Sequence, residues 1–161
     1  MNKTHHYAVA VTWTGNIGQG TKEYRGYERS HSISIEHKTD ITASSDASYR
    51  GDKTKHNPEE LFVASISSCH MLWYLHLCSA AGIIVTAYVD YAVGTMIETD
   101  DGGGRFSDVV LHPEITITNA SMVDKAKELH KKANELCFIA NSCNFPIHHQ
   151  PVIILAETES F

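Results

Sequence analysis

Residues 57–82 decide most of what this chain can become. They carry the marks of one long helix with both ends defined. Asn57 is suited to cap the N-terminus, Pro58 to take the first helical position, where no N–H is needed, and Glu60 to complete a capping box. Gly82 can adopt the left-handed conformation that stops a helix. At about 1.5 Å per residue the segment spans roughly 36 Å, the width of a small domain. Residues 61–66 and 71–75 are apolar on nearly every side, so protein must cover the helix all round. The Ser, His and Cys residues within it argue against a membrane span. Near the centre lies Cys69, on one face with Phe62, Ile66, Trp73 and His76, at spacings of three, four and seven.

The rest of the composition narrows what that cysteine can be. A chain of 161 residues suits a single domain, 1–161, with a core of real size. Its formal charge of −6, with no basic cluster, excludes nucleic acid and anionic membranes as expected partners. Residues 1–7 contain no apolar h-region, so no secretory signal is visible and a cytoplasmic location is expected. There the four cysteines rest as thiols rather than as a disulfide framework. They are inert core residues, metal ligands or reactive thiols.

Around the central helix, 58–81, the pattern is one of strands. Tyr7, Val9, Val11 and Trp13 alternate with His6, Ala8, Ala10 and Thr12, as in a half-buried strand. Residues 15–20 are glycine-rich, but no helical pattern follows, so a hairpin turn is expected rather than a phosphate cradle. Two short strands, 23–27 and 31–36, complete an N-terminal set within 1–37, with Ile33 and Ile35 inward. Residues 38–56 read as a long loop, of the kind that is functional or packs on something, and this one carries Arg50. Beyond Gly82, alternation from Val85 to Ile97 predicts one long strand, and residues 100–104 a hairpin turn into 105–111. His112-Pro113 marks a bulge or bend before Ile115 and Ile117. Ser121 and Asp124 suggest a capping box opening a second helix, 122–137. Its stripe is Met122, Ala126, Leu129, Ala133 and Leu136, ending beside Cys137. Pro146 and Pro151 bracket a last turn, and 152–156 is a closing strand. The order β-β-β-α-β-β-α-β implies an α+β domain, an antiparallel sheet curled around one buried helix.

Cys69 and Cys137 each lie on the inward stripe of a helix. Helices packed about 8–10 Å apart can bring such side chains within disulfide reach. Small buried cysteines also simply fill space, which is the reading for Cys78. Cys143 could reach the same pocket or face a turn. Cys137, Cys143, His148 and His149 hold the atoms for zinc, but no C-x-x-C pair sets a tetrahedral site. Eleven histidines are scattered, and most should be solvated or hydrogen-bonded. A reactive thiol needs its thiolate, which burial opposes and a cation favours. The central helix has no Lys or Arg, so the cation must come from elsewhere: Arg50, Arg25 or Arg29.

Several runs together resemble one family. They are Asn57-Pro58-Glu59-Glu60-Leu61, its spacing from Tyr49-Arg50-Gly51-Asp52, Ser68-Cys69 in an apolar helix, and Cys137 after an Ala/Leu-striped helix. In these the chain resembles the OsmC/Ohr family of thiol-dependent peroxidases over nearly its whole length. Residues 68–78 and 136–141 look closest to an uncharacterised OsmC-like branch.

The resemblance implies that Cys69 is the peroxidatic thiol and Cys137 the resolving one. Arg50 would favour the Cys69 thiolate, and Glu59 would orient the arginine. In better-studied Ohr members the arginine comes from the N-terminal strands, which points instead to Arg25. It implies an enzyme without metal, flavin or other cofactor. Organic hydroperoxides or hydrogen peroxide are reduced through a Cys69 sulfenic acid and a Cys69–Cys137 disulfide. A dithiol, such as a lipoylated protein, recycles it. Phe62, Ile66, Met71 and Trp73 would line an apolar pocket for an alkyl peroxide. One departure stands out: proline usually follows the family's second cysteine, and here Phe138 does. A non-catalytic small-molecule-binding or structural homodimer on the same fold is the alternative. An acyl-thioester enzyme is a third, though no Asp or Glu sits mid-helix to act as base.

Glu59 and Cys69 are ten residues apart, roughly 15 Å along a straight helix. A carboxylate that far away cannot share an arginine with Cys69 of its own chain. An intertwined homodimer, with two such helices antiparallel across a two-fold axis, would bring Glu59 of one subunit near Cys69 of the other.

Overall fold

The long helix forms as its end signals dictate. In the computed structural model, which describes residues 3–157, α1 runs Pro58–Ala80. Asn57 Oδ1 accepts the Glu60 N–H at 2.8 Å and Glu60 Oε2 accepts the Asn57 N–H at 3.2 Å, closing the capping box in both directions. At the far end Gly82 has φ 74°, the Ile83 N–H reaches back to the Cys78 carbonyl and the Gly82 N–H to that of Ser79. That is a Schellman stop.

Within one chain the burial of α1 follows a single stripe. Ile66, His70, Tyr74 and Cys78, every fourth residue, are buried, while Ala64, Ser68, Leu72 and His76 are exposed. Leu72 is 63% accessible. One chain covers one stripe of its helix. The chain divides within α1 into two compact units, Met1–Phe62 and Val63–Phe161.

In the N-terminal unit, β1 (Ala10–Trp13), β2 (His31–Ser34) and β3 (Ile41–Ala43) form an antiparallel sheet in that order. β1 is shorter than the alternation suggested and exposed on both faces, with Val11 64% accessible. The expected strand 23–27 is absent; residues 21–27 are turns and bends. Arg29 holds them there, donating to the carbonyls of Tyr27 at 2.6 Å and Tyr24 at 2.8 Å. Asn16 Oδ1 accepts the N–H groups of Gly18 and Gly20, so the glycine-rich run is a side-chain-braced turn. The supposed loop 38–56 contains β3 and a 3₁₀ turn at Ala47–Tyr49.

In the C-terminal unit the expected strand 85–97 is two strands in two sheets. β4 (Val85–Asp90) joins β7 (Pro113–Ile117) and β9 (Val152–Leu155) in the order β4-β7-β9. β5 (Val93–Glu98), β6 (Gly104–Leu111) and β8 (Ile147–His149) form the second sheet, ordered β5-β6-β8. The chain turns the corner twice, at residues 91–92 and at His112. Asp90 braces both corners: Oδ1 accepts the His112 N–H at 2.7 Å and Oδ2 the Ser67 hydroxyl of α1 at 2.5 Å. The hairpin at 99–103 forms as expected, with Gly102 at φ 82°. The architecture is α+β, but its sheets are mixed, because β8 pairs parallel to β6 and β9 parallel to β7. β8 had no sequence signal of its own.

α2 runs Val123–Leu136. The expected Ser121–Asp124 capping box does not open it. Asn119 Oδ1 instead accepts from the Ser121 N–H and hydroxyl, capping a 3₁₀ turn at Ala120–Met122 from which α2 continues. Its buried stripe is Ala126, Leu129, His130 and Ala133. With Tyr74 and Cys78 of α1, Ile83, and Ile115 and Ile117 of β7, the apolar members of that stripe make one core.

Candidate functional site

Cys69 and Cys137, 68 positions apart in sequence, are brought together, close enough for the Cys69 thiol to act on that of Cys137. Both are free thiols. Cys69 comes from the middle of α1, half-buried, one position off the inward stripe. Cys137 is the residue on which α2 ends, with φ −67° and ψ 112° turning its backbone extended, and its side chain is 0% accessible. The two sulfurs therefore differ in access: a small molecule can meet Cys69 but not Cys137.

The surroundings of Cys137 also hold it protonated. Burial pushes the Cys137 thiol up to about 11, and hydrogen bonding to Cys69 and the charge Cys69 can carry push the same way. Backbone amides work against that rise: the Ala140 N–H donates to Cys137 Sγ at 3.4 Å, and the Ile139 amide acts in the same direction. Desolvation wins, so Cys137 rests as a thiol at neutral pH.

Cys143 belongs elsewhere. Its thiol donates to the Ile139 carbonyl at 3.3 Å, pinned to its own turn, and burial raises its pKa. Cys78 is core, as expected, with its thiol pushed up by burial. Among the described residues no group of three His, Cys, Asp or Glu side chains is placed to hold a metal ion, and the Cys137, Cys143, His148, His149 set is not assembled.

The arginines lie in the N-terminal unit. Arg25, Arg29 and Arg50 line one cavity of about 330 Å³, with Glu28 and Asp52 on the same wall. Arg29 is committed: besides its two carbonyl bonds, its guanidinium lies 4.1 Å and 4.6 Å from the ring centres of Tyr27 and Tyr24. Arg25 and Arg50 are exposed. Arg50 sits on a rigid segment. It ends the 3₁₀ turn in the left-handed region at φ 67°, and the next residue must be glycine, because a Cβ at Gly51 would fall 1.5 Å from the Ser45 carbonyl oxygen. The Asp52 N–H then bonds Ser44 Oγ at 3.1 Å. Glu59 stands in the first turn of α1, with Oε2 buried and without a hydrogen-bond partner among the described residues. It is an open acceptor for a guanidinium.

Of the apolar residues expected around the thiol pair, Phe62, Met71 and Trp73 are half-buried and Ile66 is not available. Ile66 is fully buried on the inward stripe and offers no surface to a substrate. Trp73, one turn beyond Cys69, packs edge-to-face on His76 at 5.8 Å and on Phe138 at 5.6 Å.

The polar centre of the C-terminal unit was not legible in the sequence. His70 Nε2 and His130 Nδ1 are hydrogen-bonded at 2.9 Å, and both residues are only 1% accessible. His149 stacks on His70 at 5.1 Å, and Tyr74 stacks on His130 at 3.9 Å. Burial lowers His70 to about 4 and His130 to about 3, with the neighbouring imidazoles adding to the fall. The available signal was positional: His70 falls every fourth residue with Ile66 and Tyr74, and His130 lies four beyond Ala126.

With this geometry in place, the likeness to known proteins is specific. No curated protein matches the chain. Among solved structures, an OsmC-like protein of unknown function from Vibrio cholerae superposes with TM-score 0.84 at 28% identity, covering 92% of this chain and 100% of that one. An OsmC-like protein from Mycoplasma pneumoniae gives 0.70 at 15% identity, covering 96% and 99%. An organic hydroperoxide resistance protein from Elizabethkingia anophelis gives 0.69 at 18% identity, covering 97% and 100%. The last two likenesses are of fold alone. The sequence profile described as OsmC-like protein matches residues 51–151, from the loop that ends at Asn57 to the turn before β9, and the chain belongs to that family.

Proposed function

We propose that the protein is a thiol-dependent peroxidase that reduces hydroperoxides at Cys69. The observation that carries this reading is the contact between an accessible Cys69 and a buried Cys137 held as a thiol. The Cys69 thiolate attacks the distal oxygen of ROOH. The O–O bond breaks, the alkoxide leaves and takes a proton as ROH, and Cys69 becomes a sulfenic acid. Cys137 then attacks that sulfur, giving the Cys69–Cys137 disulfide and water. An external dithiol, of the kind a lipoylated protein carries, reduces the bridge by two successive exchanges and leaves as its own disulfide. The likeness in fold to an organic hydroperoxide resistance protein supports the substrate class.

In this reading an arginine of the N-terminal unit, Arg50 or Arg25, is the cation that favours the thiolate, and Glu59 orients it. The working form is a cytoplasmic homodimer, whose second subunit covers the open side of α1.

The test is thiol counting after one equivalent of cumene hydroperoxide. Two thiols should disappear and peptide mapping should join Cys69 to Cys137. Cys69→Ser should abolish turnover. Cys137→Ser should complete one round of sulfenic acid formation and then stall. A Cys137–Cys143 bridge, or full multiple turnover without Cys137, would overturn the assignment. Complete inertness of the wild type toward peroxides would leave the family fold serving as a non-catalytic binding dimer.

A further inference from the structure

We propose that Phe138 is the specificity-determining residue of this site, its ring forming the seat for the hydrocarbon part of an aryl or bulky alkyl hydroperoxide. The proposal rests on the peroxidase reading. Phe138 is 70% accessible, and its ring rests on that of Trp73 at 5.6 Å. Its ring stands at 88° to Trp73, and Trp73 stands at 83° to His76, so three aromatic rings form a continuous row.

Both ends of the covalent chain tie that row to the reacting sulfurs. Trp73 follows Cys69 by four positions and so lies one helical turn away on the same face. Phe138 follows Cys137 directly, and Cys137 touches Cys69. The backbone between them is braced: Cys137 Sγ takes the Ala140 N–H, and the Phe138 carbonyl accepts the Ser142 hydroxyl at 2.8 Å. Ile66, the aliphatic candidate on α1, is buried and cannot contribute. An apolar group resting on Phe138 and Trp73 would hold a peroxide O–O bond toward Cys69 while making no contact with Cys137. Hydrogen peroxide has no such group, so its reduction does not depend on Phe138.

The experiment is the steady-state kinetics of Phe138→Ala and Phe138→Tyr with cumene hydroperoxide and with hydrogen peroxide, each beside sedimentation. Phe138→Ala should lower kcat/KM for cumene hydroperoxide by about tenfold or more, through KM, as expected for loss of an apolar contact to substrate. Its hydrogen peroxide kinetics and its oligomeric state should match the wild type, and Phe138→Tyr should restore the aryl preference. Equal losses on both peroxides, no loss on either, or dissociation of the oligomer would each overturn the proposal, the last by making Phe138 an interface residue. The peroxidase reading fails separately, if the wild type turns over neither peroxide. The seat is then read by binding of cumyl alcohol through Trp73 fluorescence in a Trp13→Phe background. Binding that Phe138→Ala weakens supports the seat, and absence of binding removes it.

Discussion

Arg50 and Arg25 present the same charge to one cavity from differently constrained backbones. Arg50 is fixed by a left-handed φ, by the crowding at Gly51 and by the Ser44–Asp52 hydrogen bond; Arg25 lies among turns that Arg29 organises. A side chain that leaves a fixed backbone point has fewer directions to lose when it binds an anion, so Arg50 is the stronger candidate for the proposed activating cation. Arg50→Ala should therefore shift the alkylation profile of Cys69 to higher pH and slow its oxidation by about tenfold or more, as removal of a neighbouring cation does. Arg25→Ala is the comparison. Iodoacetamide kinetics across pH decide it, and an unchanged profile in both variants would dismiss the electrostatic account. At this scale the stripe reading placed Cys137 inward correctly but missed that Cys69 lies one position off the buried stripe of α1. It gave no sign that Ile66 would be sealed in the core or that Phe138 would stand against Trp73, since those depend on which helix faces meet.

The elements were read best where their signals are local. Asn57, Glu60 and Gly82 set the ends of α1 through hydrogen bonds spanning three to five residues, and the hairpin at 99–103 is equally local. The strand 85–97 was misread because its alternation continues through a corner that Asp90 creates by bonding His112, 22 positions away. The buried imidazole pair joining α1 to α2 carries a pH dependence with a definite sign. His70 and His130 titrate at about 4 and about 3 when folded, below the ordinary 6.5. Their neutral burial is thus fully compatible with the fold above pH about 6.5. As pH falls below that value, the unfolded chain takes up protons that the folded one refuses, so stability declines down to the folded values. The unfolding free energy from urea titrations should fall steeply between about pH 6.5 and 4, by a few kcal/mol in all. A His70→Phe/His130→Phe double variant should lose most of that slope. A slope identical to wild type would assign the acid lability to other groups.

Taken whole, the molecule leaves much apolar surface uncovered by a single chain. Leu72 of α1 is 63% accessible, and Tyr7, Val9 and Val11 around β1 are 91%, 61% and 64%. The homodimer we propose would cover such surfaces, and the ten-residue separation of Glu59 and Cys69 predicts that its sites are composite. Sedimentation of the reduced protein should show a dimer at micromolar concentration, with stability that depends on protein concentration. A heterodimer carrying Glu59→Ala on one chain and Cys69→Ser on the other should keep one intact site and about half the wild-type activity if Glu59 and Cys69 act across subunits. An active, folded monomer or a dead heterodimer would refute that arrangement.

The sequence by itself determined where α1 starts and stops, the α+β class, the inward stripe of α2 and the candidacy of Cys69 and Cys137. Each follows from periodicity or from hydrogen bonds between near neighbours, which a linear string records. Only the tertiary structure decided that His70 meets His130 across 60 positions, that β8 and β9 add parallel to their sheets, and that Cys137 is sealed while Cys69 is reachable. These depend on which elements pack together, and packing selects among many pairings that local chemistry leaves equal in energy.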